Sequence, residues 1–509
     1  MNYAQLYSEE IWKEYSDKVL RENKPKTYKH FDHIFDFAEK NQLIQHLVSD
    51  PKLLRVAKHS FVPLLKILTK TPRYKYDEED GVYDLETKIR PISFASHFDS
   101  YLYGFYAYAL NKKYQDYIKR KGFDSSILAY RSDLNGDCNI QFAKRAFDSV
   151  SMMVGKYGKC TAIALDITGY FDNIDHTELK DKWASVISLK ELPADQYKIF
   201  RSLTNYSYIN KSSLLKHFKI DLKKEEDVRT LLNVIPSTLA GKTYNDKFEL
   251  LRKRQLVVRN KPKTDAHGNK SYRGIPQGSP MSSVLSNIYL VNFDEWLHNR
   301  GRYMDFQYMR YCDDLLIICR SEHAQDLIEQ VIEEISVRYK LTIQKKKTEI
   351  VEFRPNSKGK VRSFDIGAKA VIKPGSDEQR LYKNLQYLGF EFNGSNTYIR
   401  PGSLSRYFRK VKGRVLKTMM MAYGKKSVKA VISKKQLYER YSHSGERNFI
   451  TYAMNAAKNS YKNASGVERC GLDSPSIKRQ LNAHFSFLQK EIDKMSREFA
   501  RQKKMVKKK

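Results

Sequence analysis

Residues 306–319 read FQYMRYCDDLLIIC, two short apolar runs on either side of a pair of adjacent acids. Their length and their content of Tyr, Leu and Ile predict two β-strands joined by a two-residue tip, Asp313-Asp314. Like charges at one tip repel and raise each other's pKa unless a cation lies between them. Hard divalent cations accept carboxylate oxygens and keep positions open for phosphate, so the tip is a candidate metal site. An exposed Asp-Asp turn is common among proteins, and the pair alone decides little.

A second apolar run, Thr161-Ala162-Ile163-Ala164-Leu165, ends at Asp166 and stops at Gly169. An acid at the end of a buried strand is costly unless something pairs with it. A capping role for Asp166 would account for that residue and leave Asp313 and Asp314 unexplained. Together the three form a candidate two-metal site, with the Ile167 carbonyl as a further oxygen ligand.

Working outward, residues 321–340 carry helical spacing (Ala324, Leu327, Ile328, Val331, Ile332, Ile335), and residues 341–353 return to β character. Strand, helix and strand alternate, as in an α/β unit. Residues 1–70 have helical spacing at Phe31, Ile34, Phe35, Phe37, Ala38 and again at Leu53, Leu54, Val56, Ala57. An acidic stretch over 74–84 ends that region, and Lys88-Ile89-Arg90-Pro91-Ile92 reads as an edge strand. After Ile399 the chain is basic and mostly helical, with breaks at Gly424 and Gly445. The expected division is an N-terminal helical region (1–70), a central α/β unit (71–400) and a basic helical region (401–509).

The net charge of +34, with 12% aromatic residues, points to a polyanion with stackable bases, hence nucleic acid. Residues 401–509 hold 27 Lys and Arg against 7 Asp and Glu, so phosphate contacts are expected there. The five cysteines have neither CxxC nor zinc spacing, which excludes a disulfide scaffold and predicts a reducing, cytoplasmic setting. No leader and no membrane-spanning run is expected. Gly241-Lys242-Thr243 imitates the end of a phosphate-binding loop, but the loop's first glycine would fall on Pro236.

Three stretches, LDITGYFDNIDH (165–176), GIPQGSPMSSVLSN (274–287) and YCDD (311–314), resemble in this order the polymerase motifs of prokaryotic reverse transcriptases. The resemblance, over roughly residues 85–400, implies an α/β right-hand polymerase fold of fingers and palm, with a helical N-terminal region and a basic α-helical thumb. It implies catalysis by Asp166, Asp313 and Asp314 with two Mg²⁺ ions, Mn²⁺ being an alternative. Arg90 and Lys88 would neutralise the triphosphate of a dNTP, Phe171 would exclude a 2′-hydroxyl, and Gln277 would contact the nucleotide. Lys347 would donate a proton to pyrophosphate, although it sits among three lysines that read equally as a basic face. Tyr387-Leu388-Gly389-Phe390 resembles the primer grip, and His176 has no metal role at the matching position.

Ala129-Tyr130-Arg131 and residues 441–458 (YSHSGERNFITYAMNAAK) look most like the abortive-infection and defence-associated reverse transcriptases of bacteria. That likeness implies antiphage defence and cDNA synthesis with a noncoding RNA template, and it extends to priming from a protein hydroxyl and homo-oligomers. The alternatives are a catalytically silent RNA-binding protein on the same fold and a retron-like or group II intron-like enzyme. An RNA-dependent RNA polymerase is disfavoured by Phe171 and by YCDD in place of GDD.

Overall fold

The computed structural model describes residues 6–22, 26, 28, 30–76, 82–219, 244–264, 268, 270–344, 348–366, 381–424 and 431–507. The N-terminal region is helical in part: α1 (Glu9–Tyr15), α2 (Phe37–Val48) and α3 (Leu54–Lys58). Phe31, Ile34 and Phe35 precede α2 rather than belonging to a helix, because Asp36 caps α2 by accepting from the Glu39 N–H. Their spacing arises from burial of Phe31 and Phe35 in an irregular segment. Strand β1 (Leu64–Tyr76) starts before residue 70, so the helical region is shorter than its apolar spacing indicates.

β1 and β2 (Tyr83–Phe94) form a long antiparallel ribbon, registered from Leu65↔Phe94 to Tyr76↔Tyr83. β2 is an edge strand, which is why Pro91, lacking an N–H, is tolerated within it. The ribbon leads into α4 (His97–Lys121), which buries Tyr103, Phe105, Tyr106 and Leu110. Next come α5 (Asn139–Tyr157), β3 (Cys160–Asp166) and the short α6 (Tyr170–Asn173). Strands β4 (Ser207–Asn210) and β5 (Val257–Arg259) complete the ribbon sheet in the order β2-β1-β4-β5.

The palm is built from α7 (Pro280–Tyr289), α8 (Val291–Met304), β6 (Gln307–Tyr311), β7 (Asp314–Cys319), α9 (Ala324–Val337), β8 (Glu349–Pro355) and β9 (Val361–Asp365). Its sheet order is β9-β8-β3-β7-β6, with β3 central. Ile163 and Leu165 of β3 face one core with α4, α7 and α8, while Cys160 and Ala162 face a second core with α5. Each fully buried Ile or Leu there contributes about 1.5–3 kcal/mol, so β3 is held on both faces up to Asp166. Among the described residues of 341–353, the expected β character is found in β8, which starts at Glu349, while residues 341–344 carry only the isolated bridge Ile343↔Ile167.

A small sheet of β10 (Leu385–Tyr387), β11 (Phe390–Phe392) and β12 (Thr397–Ile399) caps the second core, where Phe392 stacks on Phe147 of α5 at 4.8 Å. Helix α10 (Pro401–Ala422) then buries Tyr407, Val411, Val415 and Met419, a four-residue spacing that leaves Arg and Lys, together with Leu416, Met420 and Met421, on its other faces. It is followed by α11 (Phe449–Ala457), a hairpin of β13 (Ser460–Lys462) and β14 (Glu468–Cys470) that the sequence did not announce, and α12 (His484–Lys507). The whole is an α/β right-hand polymerase fold. Among the described residues no helix is long and apolar enough to cross a membrane.

The start of α4 depends on a buried charge. Asp32 accepts the N–H groups of His97 and Phe98, and His97 Nδ1 lies 2.9 Å from its carboxylate. His97 Nε2 faces the Tyr28 carbonyl at 2.8 Å, so both ring nitrogens must donate and the ring is an imidazolium. Burial lowers the His97 pKa, but the hydrogen bond and charge of Asp32 outweigh it and leave the group above its ordinary value. With the folded value raised, this contribution is full below the unfolded pKa of about 6.5 and is lost as pH rises through the folded value. Thermal unfolding of the wild type should therefore show a melting temperature that falls over that window, and His97→Asn should flatten the fall.

Candidate active site

β3 and β7 pair with Asp166 opposite Asp314, and the Ile167 N–H donates to the Asp313 carbonyl at 3.1 Å. The acids are thus brought together by backbone hydrogen bonding between a central strand and its neighbour. The tip differs from the expected Asp313-Asp314. Tyr311 pairs with Asp314, so the turn is Cys312-Asp313, and Cys312 adopts a φ of 60°. Asp314 is consequently the first residue of β7, exposed, while Asp313 and Asp166 line a cleft of about 1990 Å³. Burial raises the pKa of Tyr311 and of the buried Tyr387, and the Asp314 charge adds to both.

Lys88 and Arg90 also line the cleft, two residues apart on β2 and so on one face of the ribbon. Phe171 and Gln277 line the same cleft. Phe171 is seated by α6, which starts after the left-handed Gly169, and its carbonyl accepts from the Ile275 N–H at 2.8 Å. Gln277 is fixed by its carbonyl, which accepts the Ser93 N–H of β2 at 2.7 Å. At Gly278, φ is 110° and an added Cβ would lie 2.8 Å from the Ser93 carbonyl oxygen, so only glycine allows this contact between loop and ribbon. His176 Nε2 donates to the Gly274 carbonyl at 2.9 Å, a structural role.

The Leu388-Gly389 turn, both residues at positive φ, joins β10 to β11 as a two-residue hairpin. Leu388, Gly389 and Phe390 border the cleft, whereas Tyr387 lies buried beneath with no hydrogen-bond partner for its hydroxyl among the described residues. Lys347 lies outside the described residues.

Asp166 and Asp313, with the Ile167 main chain beside them, are hard oxygen donors at the floor of a polar cleft, a set that suits divalent cations. Among the described residues no three His, Cys, Asp or Glu side chains gather into one metal site. Asp166 and Asp313 line the cleft, and Asp314 stands opposite Asp166 in the sheet register at the start of β7.

Residues 109–392, more than half of the chain, match the family model for reverse transcriptase (RNA-dependent DNA polymerase). The chain belongs to the reverse transcriptase family. That family generally uses divalent metal ions, in keeping with the donors at the cleft floor. Among solved structures, this reverse transcriptase is similar to an apo telomerase from Candida tropicalis truncated from its C-terminal domain, with 11% identity over 71% of this chain and 60% of that chain and a TM-score of 0.32. It is also similar to a telomerase from Candida albicans in complex with a TWJ fragment of telomeric RNA, with 15% identity over 76% and 54% of the two chains and a TM-score of 0.33. It thus spans little more than half the length of the solved chains it matches. No curated protein matched.

Two features of this reverse transcriptase were not read from its sequence. The first is a fully buried ion pair. Arg310 of β6 donates to Asp294 of α8 through Nε (2.7 Å) and Nη2 (2.5 Å), to the Asn287 side chain (3.2 Å) and to the Cys312 carbonyl (3.1 Å). Tyr308 donates to the same carboxylate at 2.7 Å. Burial raises the Asp294 pKa while Arg310 and Tyr308 oppose it, and the guanidinium keeps its proton. Asn287 lay within a quoted motif, but nothing in the sequence joins Arg310 to Asp294. The second is the far wall of the cleft, where Arg406, Arg409 and Lys410 of α10 stand with Arg440, Arg447 and the rings of Tyr441 and Tyr452. Basic composition announced this wall without placing it.

Asp294→Asn should leave a buried guanidinium without its counter-charge and cost about 3–5 kcal/mol, read as a lowered melting temperature. Gly278→Ala should fold but separate the Gln277 loop from β2, visible as faster amide exchange at Ser93 with reduced nucleotide affinity.

Proposed function

We propose that this chain is an RNA-directed DNA polymerase that extends a hydroxyl by nucleotidyl transfer from dNTPs. The observation that carries the reading is the placement of Asp166, at the end of β3, beside Asp313, in the turn that leads into the adjoining β7, both lining one cleft with Arg90, Phe171 and Gln277. Asp166, Asp313 and the Ile167 carbonyl would hold two Mg²⁺ ions. Such ions activate the attacking hydroxyl and neutralise charge on the phosphates. Arg90 and Lys88 receive the triphosphate from the ribbon side, Arg90 with a planar fork that matches phosphate oxygens. Phe171, on the cleft lining, would exclude a ribose 2′-hydroxyl. The basic and aromatic wall of α10 and α11 supports contact with the template and product backbones. Lys347 as proton donor and Asp314 as an assisting acid belong to the same proposal.

The finer reading is a bacterial defence-associated reverse transcriptase acting in the cytoplasm against phage, copying a noncoding RNA, with a protein hydroxyl as an alternative primer and a homo-oligomeric assembly. It is supported by the likeness of Ala129-Tyr130-Arg131 and residues 441–458 to such enzymes. The proposed division keeps residues 1–70, 71–400 and 401–509 as N-terminal, fingers-palm and thumb parts.

The test is incorporation of labelled dNTPs and NTPs by the purified chain with its co-purified RNA and Mg²⁺. DNA product should form from dNTPs, disappear after RNase treatment of the RNA, and fall at least about a thousandfold in Asp313→Ala/Asp314→Ala, equivalent to roughly 4 kcal/mol of lost transition-state stabilisation. Phe171→Ala should lower the preference for dNTPs over NTPs by about 10- to 200-fold. Co-purified RNA without any DNA product would contradict the polymerase reading and favour a silent RNA-binding protein.

A further inference from the structure

Tyr130 holds a backbone conformation that a tyrosine disfavours, within a segment that has no freedom to relax. Its φ of 59° is left-handed, where Cβ crowds the following carbonyl. Before it, the Leu128 N–H donates to the Arg310 carbonyl at 3.0 Å, and the Ala129 carbonyl accepts from the Asn287 amide at 2.9 Å. After it, the buried Arg131 guanidinium forks onto Asp133 (2.9 and 2.7 Å) and reaches the carbonyls of Asp124 and Ile127. Strain of this kind persists only where the surroundings over-determine it, and such positions cluster at functional sites. Glycine would make the same turn without penalty.

The constraint also aims the side chain. Leu128 and Ala129 are buried, yet Tyr130 is 44% exposed and lines the cleft that holds Asp166 and Asp313. Tyr311, Cys312 and Asp313 of the hairpin are its neighbours. Its segment continues into α5, whose first residue, Asn139, borders the same cleft and lies 3.5 Å from the Leu388 carbonyl of the β10–β11 turn. Arg90, Phe171 and Gln277 already account for phosphates, sugar and incoming nucleotide, and Tyr130 stands with the elements that lead to the turn proposed to grip the primer. A ring offered to a basic cleft suits a nucleobase, since every base has a π-face.

We propose that Tyr130 is the stacking platform for the nucleobase at the growing 3′ end, a substrate contact independent of sequence. This rests on the polymerase reading above. The ring carries the contact and the hydroxyl does not, so Tyr130→Phe keeps it while Tyr130→Ala and Tyr130→Gly remove it.

The experiment uses the full chain with an RNA template annealed to a DNA primer that ends in 2-aminopurine. Wild type and Tyr130→Phe should quench the 2-aminopurine emission, and the Ala and Gly variants should not. Extension at subsaturating primer should fall about ten- to hundredfold in those two variants with the KM for dNTP unchanged. Tyr130→Gly should melt no lower than wild type, because it relieves the left-handed strain, which separates lost stacking from misfolding. Quenching and extension at wild-type levels in the Ala and Gly variants would overturn the proposal, as would a loss confined to the KM for dNTP. A wild type that quenches but incorporates no dNTP would instead contradict the polymerase reading, since quenching needs only binding.

Discussion

The buried Arg310–Asp294 pair is the interaction on which the site's geometry depends. One guanidinium ties β6 to α8 through Asp294, to α7 through Asn287 and to the hairpin turn through the Cys312 carbonyl. Asn287 carries the linkage on to the Ala129 carbonyl, and the Arg310 carbonyl accepts from Leu128. A charge taken wholly out of water is expensive, and a buried ion pair is weak evidence of net stability. Its value here is positional. It leaves the acid-bearing turn one arrangement that satisfies every donor, and the adjoining Tyr130 segment is fixed by the same residues.

The same logic places the two sides of the nucleotide pocket. The Gln277 loop reaches β2 through the Ser93 hydrogen bond and through Gly278, whose lack of a side chain permits the backbone approach. Arg90 and Lys88 on the ribbon are thereby set against Phe171 and Asp166 by contacts of main chain on main chain, which vary less than side-chain packing. The far wall is of another kind. α10 spends one face on the core and presents Arg and Lys elsewhere, which suits a partner recognised by its phosphates.

Much of the site was legible because period-two apolar runs ending in acids have few readings. Asp166 and Asp313 were found that way, while Arg90, Phe171 and Gln277, which line the same cleft, were named only through the resemblance of their motifs. The position of the turn was not legible, since a shift of one residue depends on the Tyr311↔Asp314 pairing and on a left-handed Cys312 that no propensity favours. Phe31 and Phe35 imitated a helix because burial in an irregular segment can repeat at helical spacing. Arg310 and Asp294 read as ordinary charges, because their partnership exists only once α8 packs on β6. Likewise the β13–β14 hairpin lies in a stretch whose polar residues carry neither period.

The central claim is that Asp166 and Asp313 together hold divalent cations in this cleft. The most direct measurement is Mn²⁺ binding by electron paramagnetic resonance, on the full chain with a dNTP present, in wild type, Asp166→Asn and Asp313→Asn. The account predicts bound Mn²⁺ in the wild type and its loss in each variant with the fold retained. Binding that is unchanged in either variant would contradict it.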